Sequence, residues 1–217
     1  MPTAAANPTV DTGATGQQAG HRLVLGLSGW VIEDGNYPDL SVGDCLRFPL
    51  VASLVREHGR NVRRERGIRR LRGCLYVLAG RISWASPERT ACLLDGPLPV
   101  FLEVRDREPL GAVAWGAGDW VATVAELRLP EPHICSGLCR GPEAAKSTAT
   151  WRVERIRVRR PRLPGIRRPA RRPEAVSCTS VLGSGGVGGF DEFLLSCRRL
   201  GPLPGERSTF QGCEVVP

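Results

Sequence analysis

Three stretches hold residue types and spacings that could do chemistry. HICSGLC brings His133, Cys135 and Cys139 close together, and imidazole and thiolate are zinc ligands. One residue and then three separate these side chains, a spacing unlike the regular zinc motifs, and a fourth ligand would have to come from Cys45, Cys74 or Cys92. Incidental thiols in a loop are the competing reading. Glu33, Asp34, Asp39 and Asp44 cluster where EDGNYPDL supplies turn chemistry. Paired carboxylates can act as general acid and base or hold a divalent ion, but in a turn-rich stretch they also cap turns. GSGGVGG could cradle a phosphate only if a lysine and a hydroxyl residue followed. Phe190, Asp191 and Glu192 follow instead, and the acidic pair would repel a phosphate, so a hairpin turn is expected there. His21, His58 and His133 have no signature serine or cysteine partner nearby. The balance leans away from an enzyme, with a hydrolase or a zinc-site protein as the lesser alternatives, and no cofactor is expected.

Charge is more informative. The chain carries 30 basic residues, of which one, Lys146, is a lysine, and its formal net charge is +8. A GC-rich genome would favour arginine codons, so the identity of the base decides little and its placement decides more. Trp151 to Glu174 holds ten arginines against two glutamates, a net +8. Arg56 to Arg72 holds eight against two, a net +6, which leaves −6 for the remainder. A mildly acidic body with two cationic segments suits polyanion binding, because affinity for phosphates grows with each charge neutralised. It also describes many solvated basic loops. The candidate nucleic-acid-binding residues are Arg60, Arg63, Arg64, Arg66, Arg69, Arg70 and Arg72 in the first block. In the second they are Arg152, Arg155, Arg157, Arg159 and Arg160, with Trp151 as an aromatic that could stack on a base. Trp84, Trp115, Trp120 and Tyr76 are further stacking candidates, although most aromatics belong in a core.

The elements that must position these residues read as strands. Residues 1–20 are small and polar, fit neither a secretory signal nor a membrane span, and are expected to be a disordered leader. From His21 short apolar stretches alternate with Gly, Pro, Asp and Asn, without a sustained helical period. HRLVLGLSGWVIED predicts a strand or two over Leu23 to Ile32, and Cys45 to Val55 predicts another. GCLYVLAGRISWAS is a further strand, TACLLDGPLPVFLEV folds at Asp95-Gly96-Pro97, and Gly116 to Asp119 is a bend. In WRVERIRV the apolar parity changes between Val153 and Ile156, so a β-bulge near Glu154 and Arg155 is predicted. Prolines 161, 164, 169 and 173 end that strand. The hairpin around GSGGVGG would set Cys178 opposite Cys197, leaving open whether they bond. The predicted fold is all-β, an antiparallel barrel or two-sheet sandwich of about eight to ten short strands with long loops. One domain over residues 21–200 is expected, with a basic loop at 56–72, an irregular connection at 131–150 and a loose tail at 201–217.

LSVGDCLRFPL resembles the first strand of oligonucleotide-binding barrels, and GAGDWVATV resembles a later strand of the same type. WVIEDGNYPDLSVGD is similar to uncharacterised proteins of high-GC actinobacteria, a likeness that carries no activity with it. The barrel resemblance implies a groove that holds a nucleic-acid backbone beside stacked bases. The expected function is therefore non-enzymatic binding of polyanions, nucleic acid first, through phosphates. An interaction module for an acidic protein is the alternative. No membrane partner is expected, residence in the cytoplasm is the default, and the oligomeric state is left open.

Overall fold

Two kinds of strand build the fold, alternating ones such as LYVLAGRISWA and continuously apolar ones such as RLVLGLS and ACLLD. The computed structural model describes residues 20–33, 37, 39–60, 63–87, 91–103, 115–131, 142–159, 176–178, 180–181, 192–201 and 214–216. Strands make up 67% of what can be interpreted, which makes the chain mainly β, as the pattern predicts. In chain order the elements are β1 (Arg22–Ser28), α1 (Gly29–Glu33), β2 (Leu40–Ser41), β3 (Cys45–Pro49), β4 (Val51–Arg60), β5 (Gly67–Arg72), β6 (Leu75–Ala85), β7 (Ala91–Asp95) and β8 (Pro99–Glu103). There follow β9 (Trp120–Arg128), α2 (Pro142–Ser147), β10 (Thr148–Arg159), β11 (Val176–Cys178), β12 (Ser180–Val181), β13 (Glu192–Arg199) and β14 (Glu214–Val216).

Five strands close into a barrel in the order β4, β8, β7, β6, β9 and back to β4. Four of these contacts are antiparallel and one, β4 with β8, is parallel. Closure removes the exposed edges that an open sheet would present. Ala52, Tyr76, Leu78, Ile82, Cys92, Leu94, Val100, Leu102, Val121 and Ala125 lie on the strand positions that fill the interior. A second group of strands continues from the barrel in the order β9, β1, β13, β10, β3, β14, with β11 also on β10. Its inner face carries Leu23, Leu25, Leu27, Leu46, Phe48, Trp151, Val153, Ile156, Phe193, Leu195 and Cys197, all in the same core as the barrel interior.

Several elements differ from the sequence expectation, each for a local reason. The strand predicted to Ile32 stops at Ser28. Val31 and Ile32 are both buried, which consecutive residues of a strand achieve poorly and one face of a helical turn achieves readily. The run from Cys45 to Val55 divides at Leu50, after Pro49, which has no N–H to give to a ladder. β3 serves the outer group and β4 the barrel. The segment expected as a basic loop, 56–72, is strand at both ends, because Ile68 packs into the core opposite Leu78 while arginines on an edge strand project into water. The irregular connection at 131–150 ends in α2 and the start of β10, and residues 132–141 lie outside the described residues. The tail contributes β14, which pairs with β3. The proline run after Arg160, the glycine-rich stretch and residues 1–19 of the leader lie outside the described residues.

The bulge forms where the parity predicts it, between Val153 and Arg155. It keeps Trp151, Val153 and Ile156 on the buried face. The expected hairpin between Cys178 and Cys197 does not form. β13 is buried enough to require neighbours on both sides, and it takes β1 and β10. β11 then pairs with the other edge of β10, since Ile156 stands opposite both Cys178 and Leu195. A whole strand separates the two cysteines, a distance of roughly 10 Å that a disulfide cannot span, and Cys197 is a free thiol.

β6 serves two partners in succession along one edge. Residues 75–79 pair with β5 and residues 81–85 with β7. The exchange falls at Gly80, where a Cβ would stand 2.5 Å from the Asp95 carbonyl oxygen. Only glycine lets the two backbones approach this closely. Gly80→Ala is therefore expected to cost about 2 kcal/mol of stability through forced backbone displacement, read as a lower midpoint in urea unfolding.

Candidate nucleic-acid interface

The outer face of the second strand group is built by register. In antiparallel partners opposed side chains share a face. Arg22 stands opposite Arg198, and Arg198 opposite Arg152. The next row is Val24, Ser196 and Arg155, and the one after it Gly26, Leu194 and Arg157. Arg152 and Arg155 are exposed and Arg157 is half-buried. Glu154, the residue displaced by the bulge, turns back over the first row and meets Arg22 at 3.2 Å and Arg198 at 3.6 Å. Both pairs are largely solvated, so each contributes at most about 1 kcal/mol. Their greater effect is to fix the row. Arg22 and Arg198 were not among the residues singled out from the sequence. The signal was available, because each takes the outward parity of a strand whose alternate residues are buried.

The first basic block divides. Gly73, with φ of 49°, turns the chain from β5 into β6, and a Cβ built there would lie 3.9 Å from Leu194 Cδ1. Val24, Cys74 and Leu194 pack into a small apolar cluster beneath this turn. Arg70 and Arg72, both exposed, are thereby carried to β13, the strand beside β10. Arg70 Nε donates to the Gly73 carbonyl at 2.8 Å, holding the turn. The other end of the block goes elsewhere. Arg66 pairs with Asp95 at 2.7 Å at the close of β7, and β5 separates Arg66 from Arg72 by roughly 20 Å. Arg63, Arg64 and Arg69 are exposed, with Arg64 in the left-handed backbone region at φ 53°. Arg60 ends β4 and Arg159 ends β10, their side chains outside the described set, and Arg160 lies outside the described residues.

Trp151 corrects the expectation of an exposed stacking residue. It is 1% exposed and lies against Phe48 at 6.1 Å, because it shares the parity of Val153, which faces the core. Tyr76 and Trp115 are also buried, while Trp84 packs edge-on against Phe101. Tyr76 accepts a hydrogen bond from the Val24 amide at 2.7 Å, joining β6 to β1. Trp120 is half-buried. Trp30, in α1, is the exposed tryptophan among the described residues.

The chemical alternatives fall differently. Asp44 Oδ2 accepts from the Ser41 amide at 2.6 Å and closes the turn between β2 and β3, the structural role that carboxylates take in turns. Asp34 lies outside the described residues, as do His133, Cys135 and Cys139. Among the described residues no three His, Cys, Asp or Glu side chains come together to hold a metal ion. Among those residues, too, no helix is long and apolar enough to cross a membrane. Comparison with protein-family models, with curated proteins and with solved structures found no match. The class that the fold defines is thus a mainly-β protein built on a closed five-stranded barrel.

At the seam between barrel and outer face sits Arg128. Its guanidinium meets Glu126 at 2.7 Å, Ser28 at 3.3 Å and Glu131 at 3.8 Å. Burial alone would lower its pKa, but the hydrogen bond and charge of Glu126, helped by Glu131, turn the net shift upward. Arg128→Met would leave two carboxylates packed without their cation and is expected to cost about 3 kcal/mol, measured by denaturant unfolding at neutral pH.

Three thiols are held protonated by their surroundings. Burial pushes Cys92 and Cys197 from 9.0 up to about 12, with Glu154 adding to the effect at Cys197. Burial, then the charge of Glu126, raises Cys74 to about 11 against the opposing pull of Arg128. These groups are poor nucleophiles in the folded chain. An unfolded chain ionises such thiols near pH 9, so their contribution to stability is intact below that value and lost as pH rises from 9 through the folded values, about 11 for Cys74 and about 12 for Cys92 and Cys197. The expected slope is roughly 1.4 kcal/mol per pH unit for each thiol. Unfolding midpoints measured from pH 8 to 11 test this, with Cys92→Ala reducing the thiol-dependent slope by about one third.

Proposed function

We propose that this protein binds nucleic acid without catalysis, gripping phosphates on the outer face of β1, β13 and β10. The observation that carries the reading is the registered row of Arg22, Arg198 and Arg152, continued by Arg155 and Arg157, with the β5–β6 turn bringing Arg70 and Arg72 alongside. Guanidinium groups fixed on a sheet lose little freedom on meeting phosphate and can bind it through paired donors. Same-face residues recur every roughly 7 Å along a strand, and neighbouring strands lie about 4.8 Å apart. Such a grid offers several phosphate contacts without reading base edges, so binding is salt-sensitive and weakly selective for sequence. The burial of Trp151, Tyr76 and Trp115 removes most of the stacking contribution that a nucleic-acid-binding barrel would supply, and leaves the phosphates as the principal contact. The oligonucleotide-binding-barrel likeness of GAGDWVATV falls on β9, within the closed ring, whereas LSVGDCLRFPL forms β2 and β3 outside it. The proposed surface is accordingly the outer group of strands rather than the barrel mouth.

Binding of random single-stranded oligonucleotides at two or more salt concentrations tests the reading. With about four phosphates neutralised, log K should fall against log salt with a slope near −3. Replacing Arg152, Arg155 and Arg157 together by Gln should flatten that slope by about 2 while the urea midpoint stays near that of the parent. No binding at low salt, or an unchanged slope in the triple variant, removes nucleic acid from this face. Retention of polyglutamate without oligonucleotide binding would transfer the face to an acidic protein partner.

A further inference from the structure

The inner face of the same strands holds an arrangement that the phosphate reading does not use. Trp151 of β10 stands directly opposite Arg199 of β13. The Arg199 amide donates to the His21 carbonyl at 2.8 Å and its carbonyl accepts from the Gly20 amide at 3.3 Å. Its backbone is therefore turned towards β1, while the next residue, Leu200, bonds across to Thr150 at 2.9 Å. Trp151 and Arg199 form a narrow, non-hydrogen-bonded pair, in which Cα atoms approach to about 4.5 Å and side chains lie closest. Trp151 Nε1 and Arg199 Nη1 are both buried, and neither has an acceptor among the described residues.

Buried donors are nearly always matched. Here two unmatched donors belong to directly opposed residues. Neither can satisfy the other, because an indole N–H and a guanidinium only donate. The register neighbours of the pair supply no carboxylate: Leu46 stands beside Trp151 and Val215 beyond it, with His21 next to Arg199. Glu154, the acid nearest in sequence to Trp151, faces the outer surface with Arg22 and Arg198. Burial lowers the Arg199 pKa, as it does for a cation without a counter-charge.

We propose that Trp151 and Arg199 form a binding site for a single carboxylate, with the indole N–H donating to one oxygen and the guanidinium to the other. The charge count selects the ligand class. One guanidinium neutralises a monoanion, whereas a dianionic phosphate would leave a negative charge in a buried place. The stack of Trp151 on Phe48 holds the indole in position before the ligand arrives. This site is independent of the phosphate-binding face, since the two occupy opposite sides of one sheet.

The test uses the full chain, ¹⁵N-labelled, with acetate as probe at constant ionic strength and chloride as the balancing salt. The Trp151 indole N–H signal, assigned by its loss in Trp151→Phe, should move downfield with acetate and saturate. Arg199→Gln should raise the half-saturating acetate concentration by roughly tenfold or more. Arg199→Lys, which keeps the charge and loses the fork, should weaken binding less. Oligonucleotide binding should be unchanged in both variants, so failure here and failure of the phosphate reading are separately visible. A drift equal to that in chloride, or saturation untouched in either Arg199 variant, overturns the site. Saturation by inorganic phosphate at lower concentration than acetate overturns its assignment to a monoanion. Should both Arg199 variants unfold, a parent melting temperature raised no more by acetate than by chloride also overturns the proposal.

Discussion

Everything in this molecule depends on how the outer edge of β9 is shared. Leu127 donates to the Cys74 carbonyl at 2.9 Å, and two residues later Leu129 donates to the Gly26 carbonyl at 3.0 Å. Between those two bonds the neighbour of β9 changes from β6 to β1, and the sheet passes from a closed barrel to an open group of strands. Unpaired backbone groups in a buried seam would be costly, so the exchange leaves no gap. The price is close packing: a Cβ on Gly26 would stand 3.2 Å from Cys74 Sγ. Arg128 spans the same junction with Glu126 and Glu131, a part-buried ion cluster whose geometry is tied to the seam.

That seam lets one apolar core run from the barrel interior onto the inner face of β1, β13 and β10. It also turns the outer face of those strands into a platform. β10 has to satisfy both faces with a short stretch of sequence. Without a bulge, residues after Glu154 would exchange sides, putting Arg155 and Arg157 into the core and Ile156 and Val158 into water. The extra residue prevents this, and Glu154 becomes the acid that orders Arg22 and Arg198. A single irregularity thus serves both the core and the arginine rows.

Charge on the two faces is handled in contrasting ways. Outside, Arg22, Arg152, Arg155 and Arg198 reach water, where like charges at neighbouring positions repel only weakly because solvent and salt screen them. Inside, the cation of Arg199 is half-buried and the indole of Trp151 is fully so, and the donors they leave unmatched are the more conspicuous for the otherwise apolar surroundings. The buried thiols belong to the same environment, which excludes charge and keeps Cys92 and Cys197 protonated.

Local pattern was legible wherever one residue decides its own neighbourhood. The β class follows from alternation, the bend at Gly116 to Asp119 from turn chemistry, and the bulge from a parity change within one strand. Pairing was not legible. Whether Cys178 meets Cys197, whether Arg66 and Arg72 serve one surface, and whether Arg22 joins Arg198 depend on which strands become neighbours. The sequence by itself determined the strand character, the breaks and the side-chain parity, because these are set by contacts a few residues long. Only the tertiary structure decided which arginines share a face and that Trp151 lies inside, because strands distant along the chain become neighbours only when a common core closes between them.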